Sequence, residues 1–444
     1  MRKLLFAVTI LLAMTFAACG ESEYEAYEGL YEAPEQYEIE ELQEEIYYEP
    51  YIPEEPNASG RLKADYLEDF DYLFNALYES FTLFNATYRR HGVDMVRRYE
   101  VTRAQLEQGI IHNDNFFHDI LNSHFINRAR FMGHLSTLHA SQFRASIYFF
   151  EQMSEYELNN PNFWRRHHYE ALNNPASRAF YGVHETSPAG RADAGTSRSV
   201  VRTDILEEGR IAYISISRMS GHTEWAADKE TIFNFYEEIR GFEHLIIDIT
   251  GNGGGSSEFF TELIMRPNIT EPVEFYRYWF IRASDRNMRN IEGHPVLRGL
   301  VFQPVTAEIM DNMPYLHKED LNVLDYVVRL TSTIYPLGEE AAFDGKIWLL
   351  IDETTFSAAD FAAALAKQTG FATLVGQNTL GGGLGIASAA IVLPNTGIIV
   401  RYAPIYATDA LGRNNYEVGT PPHIFRSQGK TALETVLEII EKEW

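Results

Sequence analysis

One cysteine, Cys19, stands in 444 residues, so the chain can form no internal disulfide and no cysteine-based metal cluster. Basic residues are also scarce. With 37 Lys and Arg against 63 Asp and Glu the formal charge is −26, which argues against nucleic acid and against direct docking on anionic lipid. The one long apolar run near the start, Leu4 to Phe16, is too short and wrongly flanked for a mature spanning helix. G-x-x-x-x-G-K-[ST] does not occur and no glycine cluster is spaced G-x-G-x-x-G, which weakens any nucleotide-binding reading. Glu21 to Gly60 has no Lys or Arg at all, but fourteen Glu and seven Tyr. Such a segment cannot bury a core and its charges repel, so residues 19–60 read as an extended acidic tether.

The first nineteen residues follow the pattern of a bacterial export signal. Arg2 and Lys3 form a basic region, Leu4 to Phe16 an apolar one, and Phe16-Ala17-Ala18-Cys19 is similar to a lipoprotein cleavage box. This predicts a signal peptide over 1–18, lipidation at Cys19, and a body held to the membrane only by that lipid, on the extracytoplasmic side of a bacterial cell envelope.

Two stretches of the body carry candidate chemistry. Ile347 to Ile351 reads as a buried strand, a helix follows from about Ser357 to Gly370, and Phe371 to Gly376 reads as a second strand. Ser357 therefore falls on a strand-to-helix turn, where a hydroxyl projects at the carboxyl edge of a sheet beside unpaired helix amides. That suits a nucleophile. The same Ser-Ala-Ala-Asp, Ser357 to Asp360, is also a capping box in which the serine would merely satisfy backbone donors. The other stretch is the strand Leu245 to Ile249, running into Gly251-Asn252-Gly253-Gly254-Gly255 and then a helical pattern from Glu258 to Met265. Glycines there let backbone amides approach a phosphate or a reaction oxyanion, although an ordinary glycine-rich turn looks the same.

Together the two stretches resemble the C-terminal processing (tail-specific) serine peptidases and the tricorn protease core. The family's D-x-R-x-N-G-G-G is matched by Asp248 to Gly255, with Thr250 in place of the arginine, and its S-A-x-[DE] by Ser357-Ala358-Ala359-Asp360. Val375 to Gly382 is similar to V-G-x-x-T-x-G-[KG], and Glu417 to Pro422 to E-G-V-x-P-D, in the same order and at similar spacing over about residues 61–440. The resemblance implies an α/β fold with a ClpP/crotonase-like βαβ catalytic core and an N-terminal helical bundle subdomain. It implies acyl transfer to Ser357, with an oxyanion met by amides of Gly253 or Gly254 and of Ala358. The substrate would be a peptide or unfolded protein, and no metal or organic cofactor is required.

The Lys-dependent branch of that family carries its base directly after T-x-G, where this chain has Gly382. Lys367 cannot replace it, because ten residues along one helix span roughly 15 Å. The resemblance then points to the tricorn-like branch, whose base is a histidine from the N-terminal part of the domain. Thr137-Leu138-His139-Ala140 fits that setting best, making His139 the expected base and His134 the alternative, with Glu417 expected to orient the imidazole. A competing reading is a non-catalytic binding lipoprotein that keeps the fold.

The remainder divides by pattern. Tyr66, Phe70, Leu73, Phe74, Leu77 and Phe81 recur at helical spacing and open a helical subdomain over 61–140. Residues 141–199 lack the alternation of a peptide-binding PDZ module and read as an irregular connection, after which 200–444 form the catalytic core. Within that core, Ala389 to Pro394 and Ile398 to Ala403 read as a hairpin, and Ala432 to Trp444 as a closing helix.

Overall fold

A computed structural model describes residues 55–444 except 130, 152, 155–165, 184–198, 223, 292–293, 298–299, 387 and the last two. The signal, Cys19 and most of the tether lie outside the described residues. Asn57, the third described residue, already belongs to the body: its amide donates to Tyr66 Oη at 2.8 Å and to the Ile111 carbonyl at 2.9 Å.

The strands, in chain order, are β1 (Ser136–Thr137), β2 (Val201–Glu207), β3 (Ile211–Ile216), β4 (His244–Asp248), β5 (Val273–Ile281), β6 (Gln303–Pro304), β7 (Tyr326–Ile334), β8 (Lys346–Ile351), β9 (Thr373–Gly376), β10 (Ala389–Val392), β11 (Ile399–Tyr402), β12 (Ile405–Thr408) and β13 (Ile424–Phe425). Six of them form the central sheet in the order β13-β9-β8-β4-β3-β2, parallel throughout except for the β2–β3 pair. Parallel strands covered on both faces need near-continuous apolar runs, and Leu245, Ile246 and Ile247 of β4 and Leu349, Leu350 and Ile351 of β8 are fully buried. Because β4 and β8 are adjacent and parallel, their carboxyl ends open side by side. The glycine run and Ser357 follow those two ends.

Helices α1 (Lys63–Ser80), α2 (Phe84–His91), α3 (Met95–Gln108) and α4 (Asp114–Ile120) make up the expected N-terminal bundle. Its aromatic stripe, Tyr66, Phe70, Leu73, Leu77 and Phe81, is buried in one apolar core continuous with that of the sheet. The hairpin forms as expected, β10 pairing with β11, and a third strand, the two-residue β1, adds to its edge. Its tip is clamped by α1: the amides of Asn395 and Thr396 and the Thr396 hydroxyl donate to the buried carboxylate of Asp69 at 2.6–2.9 Å. β12-β5-β7-β6 form a separate antiparallel sheet.

The segment expected to be irregular instead contains three helices among its described residues. It holds α5 (Ala140–Glu151), α6 (Arg166–Leu172) and α7 (Pro175–Phe180). Phe143, Ile147 and Phe150 fall four and three residues apart, and that stripe buries against Leu172, Tyr181 and Ile399 in a small core of its own. Helix α8 (Ala226–Glu238) crosses from β3 to β4, α9 (Ala358–Thr369) from β8 to β9, and α10 (Ala432–Lys442) closes the chain.

Candidate active site

Ser357 does not behave as a helix cap. Its side chain makes no capping hydrogen bond, and its backbone sits at φ 56°, ψ −120°, a region costing a non-glycine residue about 1–3 kcal/mol. Surrounding hydrogen bonds hold it there. The Ser357 amide donates to the Gly381 carbonyl at 2.9 Å, and its carbonyl accepts from Phe361 at 2.9 Å. Asp360, the other half of the supposed capping box, turns inward instead. It is fully buried and accepts the hydroxyls of Thr379 and Thr420 and the amide of Gly383 at 2.5, 2.7 and 2.8 Å. Burial raises its pKa, and those donors favour the carboxylate. One carboxylate thus ties the helix bearing Ser357 to the third and fourth motif blocks.

The glycine loop is sewn to the same turn. Phe356 N–H donates to the Asn252 carbonyl at 3.0 Å, Thr355 Oγ1 to the Ile249 carbonyl at 3.2 Å, and Gly251 N–H to Asp352 Oδ2 at 3.0 Å. Gly254, at φ 99°, lies so close to the Ser357 turn that a Cβ would come within 2.7 Å of the Phe356 carbonyl oxygen and 2.8 Å of Ser357 Cβ. Only glycine fits there. The two glycines expected to serve an oxyanion are not equivalent, however. Gly254 N–H is already committed to Asn252 Oδ1 at 2.9 Å, whereas the amides of Gly253 and Ala358 have no hydrogen-bond partner among the described residues.

The imidazole beside Ser357 is that of His134. Its Nε2 lies 3.1 Å from Ser357 Oγ. His139, the expected base, is exposed at the start of α5, where its amide donates to Gln142 Oε1. The physical reason is the edge strand: Ser136 and Thr137 pair with Arg401 and Val400, fixing the turn before β1 over the sheet's carboxyl edge and carrying the chain after it outward. His134 itself has φ 55°, in a tight turn with Gly133 at φ 53°. A Cβ on Gly133 would meet Leu83 Cδ1 and Phe81 Cε2 at 2.7 Å, so with glycine the turn presses into the helical bundle without displacing those side chains.

Phe356 and Tyr416 cover the imidazole, with ring centroids 4.8 and 5.8 Å away. Burial, and then the positive charge of Arg401, push its pKa down to about 4. It is therefore neutral near pH 7. The missing lysine also finds a steric counterpart, since a Cβ at Gly382 would stand 3.2 Å from His134 Cε1 and 2.8 Å from the Phe356 ring. Imidazole and phenyl ring fill the space into which a side chain at 382 would grow. Lys367, set aside on distance, donates to the Pro421 carbonyl at 3.0 Å.

Glu417 does not meet the imidazole. Its carboxylate takes both Nε and Nη2 of Arg89 at 2.7 and 2.8 Å, and Arg89 also binds Asp320 at 2.7 Å. His134 Nδ1 is buried and has no hydrogen-bond partner among the described residues. Sequence reasoning gave no role to Arg89, and it quoted Asp360 only as part of a motif. The helical spacing of α2 shows Arg89 only as one of several basic residues in a last turn.

A serine on a strained turn, within hydrogen-bond distance of a neutral imidazole at the carboxyl edge of a parallel sheet, fits the arrangement of a serine hydrolase, here on a ClpP/crotonase-like α/β core. The catalytic part of the chain, residues 210–425, matches the model of peptidase family S41 and belongs to that family as a serine-type peptidase. Among solved structures, a candidate peptidase from Parabacteroides merdae aligns over 84% of this chain and 96% of its own at 14% identity, with a TM-score of 0.50. Mature CPAF aligns over 86% and 95%, also at 14% identity and a TM-score of 0.50. At such identity these likenesses concern the fold. No curated protein sequence matches the chain.

Proposed function

We propose that Ser357 is the nucleophile of this peptidase and His134 its general base, on the strength of the 3.1 Å approach of Nε2 to Oγ. As Oγ attacks the peptide carbonyl carbon, its proton passes to Nε2. The C–N bond then breaks and the amine leaves with that proton. A water repeats the sequence on the acyl-enzyme, releasing the acid and restoring the serine. The amides of Gly253 and Ala358 meet the oxyanion, a contribution of about 3 kcal/mol per donor in comparable sites. Glu417 acts at a distance in this reading: by holding Arg89 of α2 it fixes the wall behind Tyr416, whose carbonyl accepts from Arg90.

A fluorophosphonate probe tests the pair. Labelling is expected to vanish in Ser357→Ala, to slow by about a hundred- to ten-thousand-fold in His134→Ala, and to be unchanged in His139→Ala. Wild-type labelling in His134→Ala overturns the assignment. The second reading, a binding protein that keeps the fold without catalysis, draws on the unpartnered Nδ1 and on the commitment of Glu417 to Arg89. It predicts no labelling in the intact chain.

We also place the peptidase on the extracytoplasmic face of a bacterial membrane, tethered by lipid on Cys19, a reading supported by the apolar run and the small residues before that cysteine. Incorporation of labelled palmitate by the producing cell should disappear in Cys19→Ala. A chain that takes up no palmitate is not lipid-anchored.

A further inference from the structure

A cavity of about 390 Å³ lies between α5, α6, the loop after Gly382 and the β10–β11 hairpin, lined by Phe149, Phe150, His168, His294, Ile386 and Arg401 among others. Although the chain holds 63 acidic residues, none of the described residues lining this cavity is acidic. Arg401 is the fixed charge in it. Its Nη2 donates to Ser136 Oγ at 3.1 Å, its Nε is buried with no partner, and no carboxylate pairs with it among the described residues. This is unlike Arg89 and Arg103, whose forks are filled by carboxylates.

A guanidinium withdrawn from water without an anion is costly, and its planar fork matches one ligand best, a carboxylate. The cavity is also joined to the chemistry. Ser136, which receives Arg401, itself donates to the His134 carbonyl at 3.1 Å. The loop leaving Gly382, against the imidazole, reaches the cavity wall four residues later at Ile386.

We propose that this cavity is a substrate subsite in which Arg401 binds a carboxylate of the peptide while Phe149, Phe150 and Ile386 hold an apolar neighbour. The proposal rests on the peptidase reading above and adds a substrate class to it: peptides with a negative charge near the scissile bond. The carboxylate is that of an acidic side chain, and binding of a chain terminus is the outcome the test separates from it.

The test uses fluorescence-quenched peptides sharing one apolar core, as the free acid, as the amide, and as amides carrying Glu or Gln at successive positions on either side of the cleavage point. Carboxylate peptides should exceed their neutral partners in kcat/KM by about tenfold or more, mostly through KM. The preference should collapse toward unity in Arg401→Gln. It should collapse equally in Ser146→Glu, which sets a carboxylate on the cavity wall from the partly exposed face of α5 and leaves Arg401 in place. Preference for Glu over Gln assigns the acidic side chain, and preference for the free acid alone overturns that assignment. Equal rates for charged and neutral peptides, with fluorophosphonate labelling of Ser357 intact, overturn the subsite while sparing the peptidase. Loss of both labelling and cleavage removes both.

Discussion

Ser357 and His134, the proposed nucleophile and base, are held in opposite ways. Ser357 follows the six-residue strand β8, which is paired in parallel with β4 and β9, on a turn whose backbone is bonded to the glycine loop, to Gly381 and, through Asp360, to Thr379 and Thr420. His134 hangs from a two-residue strand at the edge of a small hairpin, pressed against the helical bundle through Gly133 and covered by two rings. The first half is fixed by hydrogen bonds that close on one another between short turns, some of them 101 and 106 residues apart. The second depends on pairing between residues 265 apart, Ser136 with Arg401, and on side-chain packing. Closed hydrogen-bond networks have few alternative geometries, whereas packed side chains can yield by a few tenths of an ångström. The two halves should therefore tolerate the same insult differently.

Adding one methyl group to each half breaks that comparison most severely. In Gly254→Ala the new carbon meets backbone, the Phe356 oxygen at 2.7 Å and the Ala358 nitrogen at 2.9 Å, and φ 99° is a conformation L side chains rarely adopt. The nucleophile turn must move, and activity should fall by about a thousandfold, the scale of losing an oxyanion donor. In Gly133→Ala the methyl meets side-chain ends, Leu83 Cδ1 and Phe81 Cε2, which can shift. The loss there should be about tenfold, in proportion to a displacement of the base, with a stability cost of about 1 kcal/mol for the left-handed alanine. Steady-state peptide hydrolysis and urea melts of both variants measure the difference. Equal losses in the two would show that the halves are equally rigid.

The same contrast decided what could be read from the chain. The strand, turn and helix around Ser357, and the glycine run after β4, follow from apolar runs, helix formers and glycines within forty residues, and the structure has them where expected. The hairpin was legible for the same local reason, from Asn395-Thr396-Gly397 between two apolar runs. The base was not. His134 and His139 are five residues apart, and only the pairing of β1 with β11 determines which of them faces the serine. The helices of 140–180 were missed although Phe143, Ile147 and Phe150 carry the period, because the polar residues between them obscured it. Glu417 falls at its motif position, but Arg89, more than three hundred residues earlier, claims its carboxylate.

The finest test of the difference concerns protons. A solvent-exposed histidine would titrate near 6.5, and a peptidase relying on one would lose about tenfold in kcat/KM between pH 7.5 and 5.5. His134 is held to about 4, first by burial and then by Arg401, so its neutral form persists and the loss over that interval should be less than about twofold. The linkage to stability runs the same way. Because the folded pKa lies below the unfolded value, the unfolded chain binds the extra proton between about pH 4 and 6.5. The contribution of His134 is then complete above 6.5 and fades as pH falls through that window. Buried carboxylates with raised pKa values, Asp69 and Asp360 among them, contribute with the opposite sign, so a melting curve of the wild type alone mixes the two. Subtracting the Tm profile of His134→Gln isolates the imidazole. A difference that shrinks from pH 6.5 toward 4 is the expected outcome; one that stays flat across the window means that the packing over His134 opens in solution, leaving the base half far looser than the nucleophile half.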